Sequence, residues 1–344
     1  MEENPSKQIG IIGAGSWGIA LAYVLSENGH DVTVWSRSEA SVQKLRDYRG
    51  NEDKLPGVKL KESVKFTSDM EEAVSGKEIL ALVIPSAHMR ETVKLLAPFI
   101  SQDEDEQPVI VNCTKGIEES SLMVMSDVIL DELPGSKVCV LSGPSHAEEV
   151  GKAMPTTIVV GAFDKDTAKL VQNVFMNDFF RVYISSDMLG IEIGAALKNV
   201  IALAAGIADG YGLGDNAKAA LITRGIAEMA RLGVAMGGKY ETFAGLSGIG
   251  DLVVTCASMH SRNRRAGILI GQGKSMDEAM SEVKMVVEGV YSAKAAFALS
   301  QKYEIEMPLV QAVNEILFDD RKPGEVIQEL MIRDRKIENT SLDW

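Results

Sequence analysis

The first half of the chain alternates between short apolar runs and segments with helical spacing. Residues 8–12, 31–35, 78–84, 109–113 and 138–141 are largely apolar over strand length, so each predicts a strand. Residues 18–28, 88–99 and 122–133 repeat apolar positions at helical spacing between them. Continuous apolar strands separated by helices predict a parallel sheet covered on both faces. Two further strands are expected at 157–160 and 181–184, with a helix over 166–175 between them. After about residue 186 the strand signal fades. Helical periodicity then dominates, with helices expected over 189–209, 217–233, 293–303 and 309–317.

The sequence Gly13-Ala-Gly15-Ser-Trp-Gly18 lies between the first strand and the first helix. In that setting the first glycine makes a tight turn, the second lets a pyrophosphate approach the backbone, and the third packs helix on strand. The helix N-terminus then faces the phosphates. The alternative is an ordinary strand-to-helix turn, but the context on both sides favours a nucleotide. The fold class expected is therefore α/β. A Rossmann-type dinucleotide-binding domain (residues 1–188) is followed by a mainly α-helical catalytic and substrate domain (189–344), with the boundary near 186–190. The second strand ends Val34-Trp35-Ser36-Arg37, with no acidic residue for the ribose hydroxyls. Arg37 reads either as a 2′-phosphate ligand, favouring NADP(H) or dual use, or as a surface loop residue.

Composition narrows the picture. The 344 residues exceed one ordinary core, and a net charge of −14 excludes a general nucleic-acid or anionic-membrane binder. An anionic ligand then needs a local basic cluster. The apolar stretch 191–208 is interrupted by Glu192, Lys198 and Asn199, which suits a buried helix rather than a stable membrane insertion. Cys113, Cys139 and Cys256 form neither a disulfide framework nor a zinc spacing, and a reducing, cytoplasmic setting is expected. His30, His88, His146 and His260 show no metal spacing, so no metal is assigned. Residues 1–5 are too polar for a signal peptide, and the acidic run 103–106 reads as solvated loop.

Candidate chemistry gathers at a few positions. Lys115 follows the strand ending at Cys113, and Ser142-Gly143-Pro144-Ser145 follows the next strand. The carboxyl ends of parallel strands are where ligands bind, although these residues are also common turn formers. Lys198 sits among small and apolar neighbours, with only Asn199 polar beside it. A lysine in that position either snorkels to water or serves as a catalytic ammonium with a depressed pKa, and the second reading is favoured. Asp251 and Thr255 share a face if their segment is helical, and Asp251 either pairs with Lys198 or caps a helix. Ser261-Arg262-Asn263-Arg264-Arg265 is either a phosphate grip or a solvated basic helix start.

Taken together, GAGSWG, CTKG, SGPSHAEE, ALKNVIALAAGIADG, ALITRGIAEMARLG, GLSGIGDLVVTC, SRNRRAG and VVEGV run in order from residue 13 to residue 290. They resemble the bacterial biosynthetic NAD(P)-dependent glycerol-3-phosphate dehydrogenases. The resemblance implies reversible reduction of dihydroxyacetone phosphate to sn-glycerol 3-phosphate with NADP(H) or NAD(H), supplying glycerophospholipid synthesis. It implies Lys198 as proton donor, with Asn199, Asp251 and Thr255 completing the polar shell. Lys115 would lie near both substrate and nicotinamide. Ser261, Arg262 and Asn263 would hold the substrate phosphate, and Gly143 and Ser145 would touch substrate. Gly13, Gly15, Ser16, Trp17, Gly18, Arg37 and Ala147 would line the dinucleotide, with Arg262, Val286 and Glu288 reaching it from the second domain. His146 stands where a phenylalanine is more usual, and the position of Arg37 varies within the family. A homodimer is left open. The rival expectations are a ketopantoate-type or hydroxyacid-type reductase, for which the Ser261-Arg262-Asn263 cluster is unneeded, and a non-catalytic NADPH sensor.

Overall fold

The computed structural model describes residues 5–101, 103, 106–335 and 337–338. The expectations for residues 1–4 and for residues 104 and 105 of the acidic run lie outside the described residues. Eight strands form one sheet: β1 (Gln8–Ile12), β2 (Asp31–Trp35), β3 (Lys65–Thr67), β4 (Ile79–Leu82), β5 (Val109–Asn112), β6 (Val138–Ser142), β7 (Thr156–Ala162) and β8 (Phe180–Ser185). Their spatial order is β3-β2-β1-β4-β5-β6-β7-β8. The first six run parallel, as alternation with helices requires. β7 departs from the expected parallel pattern. It pairs antiparallel with β6, and β8 then runs parallel to β7.

Helices α1 (Ser16–Glu27), α2 (Glu39–Tyr48), α3 (Met70–Val74), α4 (Met89–Leu96), α5 (Met125–Glu132), α6 (Ala147–Val150) and α7 (Lys165–Phe175) accompany the sheet. Ile9 and Ile11 of β1 join one buried cluster and Ile12 another, so both faces of the sheet are covered. That double burial is why the strands are apolar throughout. α2, β3 and α3 were not anticipated. α2 buries only Val42 and Leu45, and β3 is a three-residue edge strand, so neither leaves a strong apolar period.

The helical unit comprises α8 (Met188–Tyr211), α9 (Asp215–Ala235), α10 (Tyr240–Phe243), α11 (Asp251–Ala257), α12 (Arg262–Gly271), α13 (Met276–Val283), α14 (Glu288–Lys302), α15 (Pro308–Phe318) and α16 (Pro323–Met331). α8 is buried without interruption from Ile191 to Ala208. It is long and apolar enough to cross a membrane, but 94% of that apolar window is buried within the fold. Asp187 starts it by accepting a hydrogen bond from the Gly190 N–H at 3.0 Å. α14 begins five residues before the expected start and takes in Gly289. In the fold a Cβ there would stand 2.6 Å from the Asn199 carbonyl oxygen.

α8 and α12 cross in main-chain contact. A Cβ on Gly206 would lie 2.1 Å from the Arg264 carbonyl oxygen, and one on Gly267 would lie 2.2 Å from that of Leu203. Gly210 and Gly271, four residues further along each helix, are as tightly placed, at 2.1 Å from Ile268 O and 2.2 Å from Ile207 O. Gly267→Ala is therefore expected to destabilise the protein by about 1–3 kcal/mol through overpacking. Denaturant unfolding reads this, and an unchanged midpoint would show that the two helices separate at no cost.

Candidate active site

The glycine turn joins β1 to α1. Gly13 has φ +124°, and a Cβ there would stand 2.2 Å from the Val83 carbonyl oxygen. A Cβ on Gly18 would lie 1.9 Å from the carbonyl oxygen of Gly13, so these two glycines close the turn. At Gly15 a Cβ would meet nothing within 4 Å, which leaves that side of the backbone open. Gly15 is also the N-cap of α1, and no side chain caps the first turn, which holds Ser16, Trp17 and Gly18. Free N–H groups at a helix start beside a bare glycine fit a pyrophosphate. The Asn51 amide braces the turn by donating to the Ala14 carbonyl at 2.7 Å. Arg37 is exposed beyond the end of β2 and makes no hydrogen bond or ion pair among the described residues.

Two lysines meet on one carboxylate. Lys198, from the middle of α8, donates from Nζ to Asp251 Oδ1 at 2.8 Å and to Thr255 Oγ1 at 2.7 Å. Lys115, from the loop after β5, donates to Asp251 Oδ2 at 2.5 Å and to the Gly143 carbonyl at 3.1 Å. Asp251 is the first residue of α11 rather than its cap, and Thr255, one turn on, donates to the Asp251 carbonyl at 2.6 Å. Gly143 has φ +139° and accepts a second hydrogen bond from the Ser145 hydroxyl at 3.0 Å. Burial lowers the Lys198 pKa to about 8, and Lys115 acts the same way while Asp251 opposes it. Burial alone would raise the Asp251 carboxyl, but the two ammonium groups outweigh it and hold it below the usual range.

A second chain of contacts runs from α8 through α12 to α14. Asn263 donates to Asn199 Oδ1 at 2.8 Å and accepts the Gly289 N–H at 2.9 Å. Ser261 caps α12, its Oγ accepting the Arg264 N–H at 3.2 Å. Arg262, the first residue of α12, is half-buried and has no hydrogen-bond partner among the described residues. Burial pulls its pKa down, and Glu288 is the leading opposing charge. Arg264 is committed elsewhere, with its Nε bonded to Asp209 at 2.9 Å, while the side chain of Arg265, like that of Arg262, has no hydrogen-bond partner among the described residues, so the basic cluster is one structural cation and two unpaired ones. Glu288 accepts from Ser86 Oγ at 2.6 Å and so ties the start of α14 to the loop after β4. Val286 is half-buried in the segment just before α14, and Ala147 opens α6 beside Ser145.

Glu192 was not anticipated as a functional neighbour, although its charge breaks the apolar run that marks α8. It is buried and accepts from Asn112 Nδ2 at 2.8 Å, from the Ser126 N–H at 2.9 Å, and from the Ser126 hydroxyl. Asn112 in turn accepts the Thr114 N–H at 2.9 Å, next to Lys115. Ser86, the partner of Glu288, carries no sequence signal at all.

Two family models cover most of the chain. The NAD-dependent glycerol-3-phosphate dehydrogenase N-terminus matches residues 8–168, and the corresponding C-terminus matches residues 187–328. The chain belongs to the NAD-dependent glycerol-3-phosphate dehydrogenase family. It is 57% identical to a glycerol-3-phosphate dehydrogenase [NAD(P)+] of Agathobacter rectalis over 98% of this chain and 99% of the relative. Its identity to the protein of the same name from Fusobacterium nucleatum is 56%, over 96% and 98%. The crystal structure of glycerol-3-phosphate dehydrogenase from Coxiella burnetii superposes with a TM-score of 0.91 at 38% identity, over 95% of this chain and 99% of that one. Its family membership and this similarity place the Rossmann-type unit and the helical unit in the expected order.

Burial raises the Glu192 carboxyl to about 7, against 4.5 for the ordinary group. The folded state thus keeps a proton that the unfolded chain releases between those values. This contribution is complete below about pH 4.5 and is lost as pH rises through about 7. Glu192→Gln cannot titrate, so its stability relative to wild type is expected to rise by about 1–3 kcal/mol between about pH 5 and pH 8. Unfolding at the two pH values checks this, and a constant difference would reject it.

Proposed function

We propose that the chain catalyses the reversible NAD(P)-dependent reduction of dihydroxyacetone phosphate to sn-glycerol 3-phosphate. The observation that carries this reading is Lys198, a buried ammonium held by Asp251 and Thr255 with a pKa near 8. An ammonium poised there suits proton transfer near neutrality. In the proposed arrangement the carbonyl oxygen of the substrate faces Lys198 Nζ. The bound dinucleotide supplies the hydride to the carbonyl carbon and recovers it in the reverse direction. Lys198 stabilises the negative charge developing on oxygen and then gives it a proton. Asp251 stays ionised, which keeps both lysine heads in place, and Lys115 adds positive charge on the sheet side.

Arg262 is the proposed phosphate ligand, because a half-buried guanidinium without a partner in the chain suits a phosphate. Ser261 and Asn263 assist it at the start of α12, and Asn199 holds Asn263. Gly143 and Ser145 form the adjacent substrate wall. Gly13, Gly15, Ser16, Trp17 and Gly18 would cradle the pyrophosphate, with Ala147, Lys115, Arg262, Val286 and Glu288 along the rest of the dinucleotide. The division into a nucleotide unit up to residue 188 and a substrate unit beyond it belongs to the same proposal. So does a cytoplasmic setting, which suits three cysteines that are free and buried.

Nicotinamide absorbance with dihydroxyacetone phosphate, run in parallel with NADH and NADPH, tests the reading. Lys198→Ala is expected to lose about 10²–10⁴-fold in turnover. Arg262→Ala is expected to act mainly on KM for the phosphorylated substrate. Ketone reduction should fall as pH rises through about 8, where Lys198 gives up its proton, and alcohol oxidation should rise there. Arg37→Ala should lower any preference for NADPH. A wild-type protein that binds NADPH but leaves this ketone untouched would overturn the assignment.

A further inference from the structure

Glu192 and Asn112 are both buried, and neither has a part in the chemistry above. Asn112 ends β5, and its Oδ1 accepts the Thr114 N–H at 2.9 Å, on the residue just before Lys115. A backbone N–H only donates, so Nδ2 is the atom of Asn112 that faces Glu192, and it donates to Oε1 at 2.8 Å. The Ser126 N–H donates to the same Oε1 at 2.9 Å. With donors on both sides Oε1 carries no proton. A proton on this carboxyl lies on Oε2, toward the Ser126 hydroxyl. Glu192 therefore offers Asn112 the same bare acceptor whether or not it is ionised. Asp127 of α5 is the other charge that bears on it.

The chain leaving β5 is gripped on three sides. Asn112 takes the Thr114 N–H, and the Ile84 carbonyl takes the Thr114 hydroxyl at 2.8 Å. A Cβ on Gly116 would stand 2.5 Å from Ser86 Cβ. Lys115 sits in the middle of this grip and reaches from it to Asp251 Oδ2 and the Gly143 carbonyl. A lysine head rides on a flexible stem, so where it stands depends on how its root is held. Of the three holds, only that of Asn112 is fastened to α8, the helix that also carries Lys198.

We propose that Glu192 is a positioning residue: through Asn112 and the Thr114 N–H it fixes where the Lys115 ammonium stands relative to Lys198. What it supplies is an acceptor rather than a charge. The proposal rests on the dehydrogenase reading above. Its consequence falls on Lys198, whose pKa is drawn down by burial and by Lys115 and raised by Asp251. Cys256 and His146 are the other titratable groups beside it. A Lys115 that drifts from its place leaves Lys198 more basic.

The pH profile of kcat/KM for dihydroxyacetone phosphate, at saturating NADPH in the full-length protein, reads this. The wild-type midpoint is expected near 8. Glu192→Leu removes the acceptor and is expected to raise the midpoint by about 0.5–1 pH unit. It should also lower kcat/KM at neutral pH about tenfold. Asn112→Ala breaks the same link with Glu192 left in place, and it carries the same expectation if the leucine variant does not fold. Glu192→Gln keeps Oε1 as acceptor and turns its amide N–H to the Ser126 hydroxyl, so it should hold the wild-type midpoint. A midpoint that stays at the wild-type value in Asn112→Ala would overturn the proposal. So would one that moves as far in Glu192→Gln as in Asn112→Ala. A wild-type protein that does not turn over this ketone would instead bring down the reading beneath it.

Discussion

Two ammonium groups repel when they share a dry cleft, and Asp251 is the charge that lets Lys115 and Lys198 do so. Its two oxygens face different parts of the fold: one takes Lys115 from the sheet, the other Lys198 from α8. Removing such a partner leaves buried charge uncompensated, which costs about 3–5 kcal/mol. The carboxylate must therefore be held firmly, and the turn before it does this. A Cβ on Gly248 would sit 2.0 Å from the Phe243 carbonyl oxygen, so the chain entering α11 is pressed against α10. The pKa of Lys198 follows from this balance, since burial draws it down and Asp251 limits the fall.

α8 is the spine along which that balance is kept. Near its start Glu192 receives hydrogen bonds from Asn112 and Ser126 of the sheet unit. Lys198 lies less than two turns further on, and Asn199 turns from there toward α12. A single buried helix thus carries the contact to the sheet, the buried ammonium and the anchor of Asn263. Its shape is protected because burial from Ile191 to Ala208 leaves it no solvent-facing side along which to bend.

Much of this could be read from residue order. The parallel sheet, the glycine turn and the helical second half follow from local periodicity. Lys198 stood out because a charge among small apolar residues needs a reason. The pairing of Asp251 with Lys198 was also among the sequence's own alternatives. Other features are not written locally. The reversal at β7 is set by which edge of the sheet is free, not by the composition of Thr156–Ala162. Glu192 and Ser86 become meaningful only through partners 66 and 202 residues away. The capping hydroxyl of Ser261 and the commitment of Arg264 to Asp209 likewise needed the fold, because an Arg-rich segment does not reveal which of its charges is already spent.

The glycine-lined crossing of α8 and α12 has a consequence for the size of molecule this cleft accepts. Side chains can yield by changing rotamer, but here backbone touches backbone, at Gly206 with Gly267 and again at Gly210 with Gly271. The start of α12, with Arg262, and the middle of α8, with Lys198, are therefore set apart by a gap that has almost no give. On the proposed assignment one jaw holds a phosphate and the other a carbonyl oxygen. The crossing is then a caliper of fixed opening, and a phosphorylated ketone one carbon longer or shorter could satisfy either jaw but not both. The main chain would then fix the roots from which the Lys198 and Arg262 side chains reach, and substrate length would be gauged from those roots.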